Sequence, residues 1–226
     1  MSARAILVLI ASTSAFVLAS NVARAQSASA PAPALAASCR GEADCLRKFP
    51  GLVTRRGDVL MLKLGNGRTK TFRDESKACE RQDIDKCISY HLLAHHPTHR
   101  SFVIEGRYHE GQRTILVSSH TGHATKLIEE PHYSPSGKRL AAVAGCDSFC
   151  ESGIDIWSAT DPPKLEWRYR LKDEYQYKFV RWNGDDRLQM RLSLWLGKEL
   201  HESLSIEAVR TPEGWKLTSP VLTEGQ

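Results

Sequence analysis

The sequence predicts a mainly β protein made of several small antiparallel sheets, with a two-layer β-sandwich as the alternative arrangement. The first observation is an alternation of apolar and polar residues over residues 60–64, 165–171, 188–196 and 204–208, which is typical of strands that bury one face. The second is a set of short turn signals between such segments: Gly65-Asn66-Gly67, His120-Thr121-Gly122 and Pro212-Glu213-Gly214. Helical patterns are confined to residues 38–49 and to a stretch within residues 83–96.

The N-terminus has the features of a secretory signal peptide. Arg4 precedes an uncharged apolar run over residues 5–18, and Ala23-Arg24-Ala25 matches an A-x-A cleavage site. An N-terminal membrane anchor is the alternative, but the run is interrupted by Ser and is shorter than the ~18 apolar residues of a spanning helix. We therefore predict a signal peptide over residues 1–25, no transmembrane segment, and a periplasmic or secreted protein.

The mature chain is expected to begin near Gln26. Residues 26–38 contain no charge and no aromatic side chain, so they have little to bury and are predicted to form a flexible leader. Residues 39–226 are predicted to form a single β domain, because their number is enough for one core and too small for two comfortable ones. The signal peptide removes two arginines, which lowers the net charge from +5 to about +3. The remaining charges alternate in sign, so no clustered basic face indicates a nucleic-acid partner.

All 6 cysteines lie in the predicted mature chain, as three close pairs. An even number in an exported chain indicates disulfides, and the pairs predict Cys39–Cys45, Cys79–Cys87 and Cys146–Cys150, although other connectivities are open. Zinc binding is a rival interpretation, but it more naturally uses paired C-x-x-C spacings, which do not occur. Lipid attachment at Cys39 is a second rival interpretation. LAASC loosely resembles a lipoprotein box, but lipidation would leave an odd number of cysteines.

A weak internal repeat runs through the chain. PHYSPSGKRLAAVA at residues 131–144 consists of an aromatic residue, a turn, a basic residue and an apolar strand. FVRWNGDDRLQMRL at 179–192 has the same outline, LAHHPTHRSFVI at 93–104 fits more loosely, and LVTRRGDVLML at 52–62 is a fainter fourth copy. The copies are spaced about 40 residues apart, which is the length of a four-stranded propeller blade. It therefore predicts a small, about four-bladed, β-propeller-like array of antiparallel sheets.

The best copy also resembles a known family. YSPSGKRLAAVA, followed by IDIW at residues 154–157, is similar to the WD-like β-propeller repeat of bacterial periplasmic proteins, including the propeller of the Tol system. Five turn residues match the family pattern: Tyr133, Ser134, Pro135, Gly137 and Lys138. Ser136 stands where Asp is usual in the family. The resemblance implies a propeller scaffold that acts through its partners.

The segment YHLLAHHPTHR at residues 90–100 raises the question of a metal site. On a helix His91 and His95 would have the spacing of H-E-x-x-H metalloproteases, but the position of the general base is Leu92. Pro97 disfavours a helix that continues to His99, and on a strand His91 and His95 would lie about 13 Å apart. We therefore predict strand and turn residues that include His96, and no metal or other cofactor. A metal-dependent hydrolase that uses these histidines is the alternative.

Other catalytic patterns are weak. The chain has no G-x-S-x-G elbow, P-loop or G-x-G-x-x-G fingerprint. Ser118, Ser119, His120 and Asp147 could be assembled into a triad, but a chain with 9 histidines and many serines offers such combinations by chance. We predict no catalytic residues.

The five tryptophans are expected to pack between sheets, with one exception. Trp195 shares the polar face of a strand with Arg191, and exposed Trp and Arg are typical interface residues; the alternative is that a neighbouring blade covers this face. The sequence thus predicts an exported, non-catalytic binding protein whose partner is a periplasmic protein or a cell-envelope component. This function rests on analogy of fold. An inhibitor or immunity-type protein against a toxin or cell-wall enzyme is the alternative.

Overall fold

The computed structural model describes residues 37–109, 111–145, 151–170, 175–196 and 199–218, all within one compact unit. The predicted signal peptide and nearly all of the predicted leader lie outside these residues. The described residues contain two short helices, α1 (Glu42–Lys48) and α2 (Ser76–Glu80), neither of which has the length and hydropathy of a membrane span. The strands are β1 (Ala37–Ser38), β2 (Val53–Arg56), β3 (Val59–Lys63), β4 (Thr69–Arg73), β5 (Ile88–His96), β6 (Ser101–Tyr108), β7 (Gly111–Ser118), β8 (Ala124–Leu127), β9 (His132–Tyr133), β10 (Arg139–Ala144), β11 (Gly153–Ser158), β12 (Lys164–Arg170), β13 (Tyr175–Trp182), β14 (Arg187–Leu196), β15 (Glu199–Thr211) and β16 (Gly214–Thr218).

The strands form four antiparallel sheets that follow one another along the chain. Sheet I has the order β2-β3-β4, sheet II β1-β5-β6-β7-β8, sheet III β12-β11-β10-β9 and sheet IV β13-β14-β15-β16. Except for β1, which pairs with β5 through Ala37 and Ser38, neighbours within each sheet are consecutive in the sequence. Each sheet is therefore an up-and-down meander, and the prediction of a mainly β protein with several small antiparallel sheets is confirmed.

Apolar clusters pack the sheets face to face in chain order. Sheets I and II share a cluster that includes Leu60, Leu62, Leu92, Phe102 and Ile104. Sheets II and III share a cluster that includes Val103, Leu116, Leu127, Leu140 and Ala142. Sheets III and IV share a cluster that includes Val143, Ile154, Ile156, Met190 and Ile206. Because successive side chains of a strand point to opposite faces, β6 and β10 each contribute to two clusters, and sheets II and III bury both faces.

The helix predictions were correct at one place and wrong at the other. Helix α1 lies within residues 38–49 as predicted, but residues 83–96 form a turn followed by β5, and the second helix is α2. Strand β5 belongs to a sheet with apolar clusters on both sides, to which Leu92 and Ala94 contribute respectively. A strand covered on both faces loses the polar alternation that distinguishes it from a helix in the sequence.

Three copies of the repeat fall on equivalent hairpins, namely β5–β6, β9–β10 and β13–β14, the first two strands of sheets II, III and IV other than β1. The faint fourth copy falls on β2–β3. The turn of that hairpin lies beside α2, where Ser76 Oγ donates to Asp58 Oδ1 (2.8 Å), and α2 leads into the start of β5. The β3–β4 turn lies at the other end of sheet I, where Gly65 N donates to Ser119 O (2.7 Å). In sheet I the β3–β4 turn therefore takes the position of the repeat turn.

Two of the predicted disulfides are present, Cys39–Cys45 and Cys79–Cys87, whereas Cys146 and Cys150 lie outside the described residues. The first bond ties the segment after β1 to α1, whose Cys45 is fully buried against sheets I and II. Arg55 of β2 adds ion pairs to Glu42 of α1 (2.7 Å) and to Asp74 (2.8 Å). These contacts fix α1 against the first two sheets.

Candidate functional site

Turns from all four sheets meet at one side of the molecule, which we call the hairpin end. It consists of residues 64–68, 97–100, 119–123, 134–138, 159–163 and 183–186. The bond from Gly65 to Ser119 joins sheets I and II. Sheets II and III are joined here by Ser118 Oγ, which donates to Asp161 Oδ2 (2.6 Å). Thr121 Oγ1 donates to the same carboxylate (3.1 Å). The turns are thus held by contacts between sheets as well as by their own backbone.

A cleft of about 250 Å³ opens at the hairpin end between sheets II and III. Its polar lining includes Arg100, Ser101, Ser118, His120 and Asp161. Its apolar lining includes Leu116, Tyr133 and Leu140. Clefts that combine apolar walls with a few polar groups are the usual form of small ligand sites.

Of the five residues of the predicted repeat turn, Tyr133 and Gly137 line the cleft. Ser134 is buried, its N–H donates to Arg139 O (2.9 Å), and its carbonyl accepts the N–H of Gly137 (2.8 Å). Pro135 and Lys138 are exposed. Gly137 has a φ of +72°, and a Cβ atom at this position would lie 2.7 Å from His99 Cε1. Only glycine allows both the backbone conformation and this close approach.

Tyr133 connects sheet III to sheet II at the base of the turn. Its ring stacks on His99 with 3.7 Å between centroids, and its hydroxyl lies 2.8 Å from Ser101 Oγ. Burial raises the pKa of Tyr133 to about 12, the hydrogen bond with Ser101 opposing the shift only in part. The phenol therefore stays protonated at neutral pH and acts as a packing and hydrogen-bonding group.

Ser136 links two sheets through Asp185. Its hydroxyl donates to Asp185 Oδ2 (2.6 Å) and its N–H to Asp185 Oδ1 (3.3 Å), which joins sheet III to sheet IV. The side-chain hydrogen bond from Ser136 is the largest cause that lowers the pKa of Asp185. An Asp at position 136 would place a second carboxylate against Asp185 instead of a donor.

The histidines of the 90–100 segment have separate environments. His91 Nε2 lies 3.2 Å from Ser89 Oγ, and His95 stacks on Phe102 with 4.5 Å between centroids. Burial lowers the pKa of His95. Both residues belong to the one strand β5, not to a helix. In the part of the chain that the structure describes, no group of three or more His, Cys, Asp or Glu is placed to hold a metal ion.

His96 and His99 lie between sheets II and III. The His96 ring is 5.2 Å from that of Tyr133 and 6.2 Å from that of His99. Burial, followed by the neighbouring His99, lowers the pKa of His96 to about 4, and burial also lowers the pKa of His99. Both rings are therefore favoured in the neutral form, as aromatic packing groups.

Ser118 and His120, two of the candidate triad residues, take part in a turn. The hydroxyl of Ser118 donates directly to Asp161 and accepts the backbone N–H groups of His120 (3.2 Å) and Thr121 (3.0 Å). Asp147 lies outside the described residues. The contact between Ser118 and His120 thus uses the backbone of His120 and not its ring.

The candidate interface residues lie away from the cleft. Arg191 is exposed on the face of sheet IV opposite to Met190 and Leu192, which are buried against sheet III. The side chain of Trp195, four residues further along β14, lies outside what the structure describes. The other tryptophans pack in the clusters between sheets: Trp157, Trp167, Trp182 and Trp215.

Sequence reasoning missed Asp161 and His132. Asp161 bonds to Ser118, which is 43 positions away in the sequence. His132 stacks on Phe179 of sheet IV with 3.7 Å between centroids, and burial lowers its pKa to about 4. The turn signal Asp-Pro-Pro at residues 161–163 could have indicated a loop, but not its partner.

Comparisons of the chain with protein-family models, with curated proteins and with solved structures found no match. The function therefore has to be argued from the geometry of the hairpin end.

Proposed function

We propose that this chain is an exported, non-catalytic binding protein, built as an open propeller-like array of four sheets with its binding surface at the hairpin end. The scaffold is supported by the order of the sheets, since four meanders follow one another and each packs on the next. Sheets II and III bury both faces, which favours an array of several layers over a β-sandwich, where each of two sheets buries one face.

Polar outer faces support an open array over a closed ring. On the outer face of sheet IV, Arg187 pairs with Glu207 (2.5 Å) and Gln189 donates to Ser205 (3.1 Å). On the outer face of sheet I, Thr71 is exposed. Terminal units of a stacked repeat require such polar faces to remain in solution.

Export is supported by the predicted signal peptide together with the two disulfides. Disulfides persist in oxidising compartments such as the bacterial periplasm. The partner is accordingly a periplasmic protein or a cell-envelope component. The resemblance of residues 131–144 to the WD-like repeat of periplasmic propellers supports this assignment.

The cleft between sheets II and III is the observation that carries the proposal. Four of the six turns of the hairpin end line it, and binding residues are concentrated on loops that a rigid scaffold positions. Its potential nucleophile, Ser118, is engaged by Asp161 and two backbone N–H groups. The Tyr133 phenol is held in its protonated form. Both features favour recognition over catalysis.

Photo-crosslinking tests this function. A photoreactive phenylalanine analogue replaces Thr160, an exposed residue of the cleft, or Thr71, an exposed residue on the outer face of sheet I. Each mature chain, beginning at Gln26, is irradiated with periplasmic and envelope fractions of its host. We expect one discrete adduct from position 160, competed by unlabelled protein, and none from position 71.

Equal adducts from both positions, or none from position 160, would contradict a binding surface at the hairpin end. Turnover of a substrate by the purified chain would contradict the non-catalytic assignment. An adduct with a toxin or a cell-wall enzyme whose activity is blocked by the chain would identify the partner and define an inhibitory role.

A further inference from the structure

Equivalent turns at the hairpin end each contain a residue with a left-handed backbone, and in one turn this residue is not a glycine. In sheet I it is Gly67 (φ +81°) and in sheet III Gly137 (+72°), each of which donates its N–H to the carbonyl three residues earlier, whereas Gly184 of sheet IV (+67°) lies earlier in its turn. In sheet II it is Arg100, with a φ of +49°. Left-handed conformations are costly for residues with a Cβ atom and are ordinarily left to glycine or to Asn and Asp. Such outliers are retained most often at functional sites.

The backbone of Arg100 is held by its surroundings. Its N–H donates to Pro97 O (3.2 Å), and its carbonyl accepts the N–H of Ser119 (2.7 Å) from the next turn of the same sheet. A glycine could make both bonds without strain. The fold therefore explains the backbone of position 100, but it does not explain the side chain.

Nothing within the described chain uses the Arg100 side chain. Arg100 is exposed and lines the cleft, and no ion pair or side-chain hydrogen bond joins its guanidinium to any residue that the structure describes. The anionic side chain of the lining, Asp161, is in contrast already bonded to Ser118 and Thr121. The cleft thus offers one unpaired cation beside buried hydroxyls and apolar walls.

We propose that Arg100 binds the carboxylate of a small, largely apolar ligand in the cleft between sheets II and III. This inference rests on the proposed function and specifies the chemistry of its site. A guanidinium can bind a carboxylate through two parallel hydrogen bonds. Leu116 and Leu140 provide apolar contact for the rest of the ligand. Asp161 lines the same cleft and disfavours a dianion such as a phosphate monoester by repulsion.

The volume of about 250 Å³ is just below the usual range for complete drug-sized ligands. It suits a short free acid or the C-terminal residue of a peptide. Both present a carboxylate on a small apolar group. The probes therefore include one of each kind, with the uncharged amide of each as its control.

Chemical-shift titration of the ¹⁵N-labelled mature chain tests the inference. The probes are isovalerate against isovaleramide, and acetyl-Ala-Leu against acetyl-Ala-Leu-amide. We expect saturable shifts of the amide signals of Ser101, Ser119 and Gly137 with at least one carboxylate. Affinity for the matching amide should be lower by about tenfold or more, because hydrogen bonds to a charged group are the stronger kind. Preference for the peptide or for the free acid identifies the source of the carboxylate.

Arg100→Gly is the decisive variant, because glycine fits the left-handed backbone and keeps the turn. We expect carboxylate affinity to fall to that of the amide while the melting temperature stays the same or rises. Arg73→Gln, which removes an exposed cation from sheet I, should bind as the wild type does. Equal affinity for acid and amide, unchanged binding by Arg100→Gly, or no saturable shift with any probe would overturn the inference.

The two proposals fail separately. A crosslinked partner at position 160 without carboxylate binding would leave the proposed function standing and remove the ligand assignment. Carboxylate binding without a crosslinked partner would keep the ligand assignment and remove the protein or envelope partner.

Discussion

Gly137 and Gly184 occupy equivalent turns but have different surroundings. Both have left-handed backbones, with φ values of +72° and +67°. A Cβ atom would lie 2.7 Å from His99 at position 137, whereas it would meet nothing within 4 Å at position 184. We expect Gly184→Ala to lower the free energy of unfolding by about 1 kcal/mol through backbone strain alone. Gly137→Ala should cost about 2–3 kcal/mol, because it also displaces the stacked His99 ring.

Urea unfolding of the two variants, compared at equal m-values, measures this difference. Equal losses of stability would show that His99 can leave Tyr133 at little cost. In that case the stack would not fix the wall of the cleft.

Ser136 provides a second test at the level of one residue. Ser136→Asp replaces the donor to Asp185 with a like charge, and we expect a loss of about 1 kcal/mol at pH 7, a modest value because both side chains reach solvent. The hydrogen bond lowers the pKa of Asp185, so its stabilising effect is present above the ordinary pKa of Asp and disappears as the pH falls below it. The difference between wild type and Ser136→Asp should therefore shrink toward pH 3.

Urea unfolding at pH 7 and pH 3 measures this effect. Asp185→Asn in the Ser136→Asp background is the control, since it removes the repulsion and should recover part of the loss. A Ser136→Asp variant as stable as the wild type at pH 7 would mean that the contact between sheets III and IV contributes nothing at this point.

At the level of strands and sheets, buried histidines predict acid sensitivity. His95 lies between sheets I and II, His96 and His99 between II and III, and His132 between III and IV. Burial lowers the pKa of each, to about 4 for His96 and His132. The unfolded chain therefore binds protons that the folded chain does not, below the ordinary histidine pKa of about 6.5.

The free energy of unfolding should accordingly fall as the pH decreases from about 6.5 to about 4, by up to about 3 kcal/mol for His96. Urea unfolding at several pH values checks this slope. His96→Gln should be less stable than wild type at pH 7 and should depend less on pH. His123→Gln, at an exposed position, serves as the matched control substitution. An unchanged slope in His96→Gln would contradict the assignment.

At the level of the whole molecule, the open array predicts that both outer faces tolerate charge. Thr71→Glu on sheet I and Arg191→Glu on sheet IV should each change the free energy of unfolding by no more than about 0.5 kcal/mol. Ala142, fully buried between sheets II and III, is the matched internal position, and Ala142→Glu should prevent folding. Thermal and urea unfolding measure all three. A loss of several kcal/mol in both Thr71→Glu and Arg191→Glu would indicate that these faces are covered, as in a closed ring.

The separate environments of the histidines also predict the response to metal. Zinc and a chelator should leave the melting temperature unchanged, because His95 and His99 pack on aromatic rings in different interfaces. A metal bound at a hundredfold excess over its Kd would add about 2.7 kcal/mol. A zinc-dependent rise in melting temperature that His91→Gln abolishes would revive the hydrolase hypothesis.

Much of the fold followed from local patterns in the sequence. The alternation around Leu60 and Leu188 gave strands with the expected buried faces, and both residues are fully buried. Of the three close cysteine pairs, Cys39–Cys45 and Cys79–Cys87 form the predicted disulfides. The helix predicted within residues 83–96 was wrong, because both faces of β5 are covered and the alternation is lost, whereas the prediction of strand and turn over residues 90–100 is confirmed. The site was harder to predict, because Tyr133 was visible from its turn but Asp161 was not.

The sequence by itself therefore determined the strands, the turns and the residues of the repeat, since each depends on neighbours in the chain. Only the tertiary structure decided which turns meet, because Ser118 and Asp161, or Ser136 and Asp185, are distant in sequence and come together when sheets stack. The tertiary structure also revealed the turn position of Arg100. The sequence shows an arginine before a strand, and only the packed turns show that it stands in the left-handed position that sheets I and III give to glycine. Contacts between sheets depend on packing across distant segments, which no local pattern encodes.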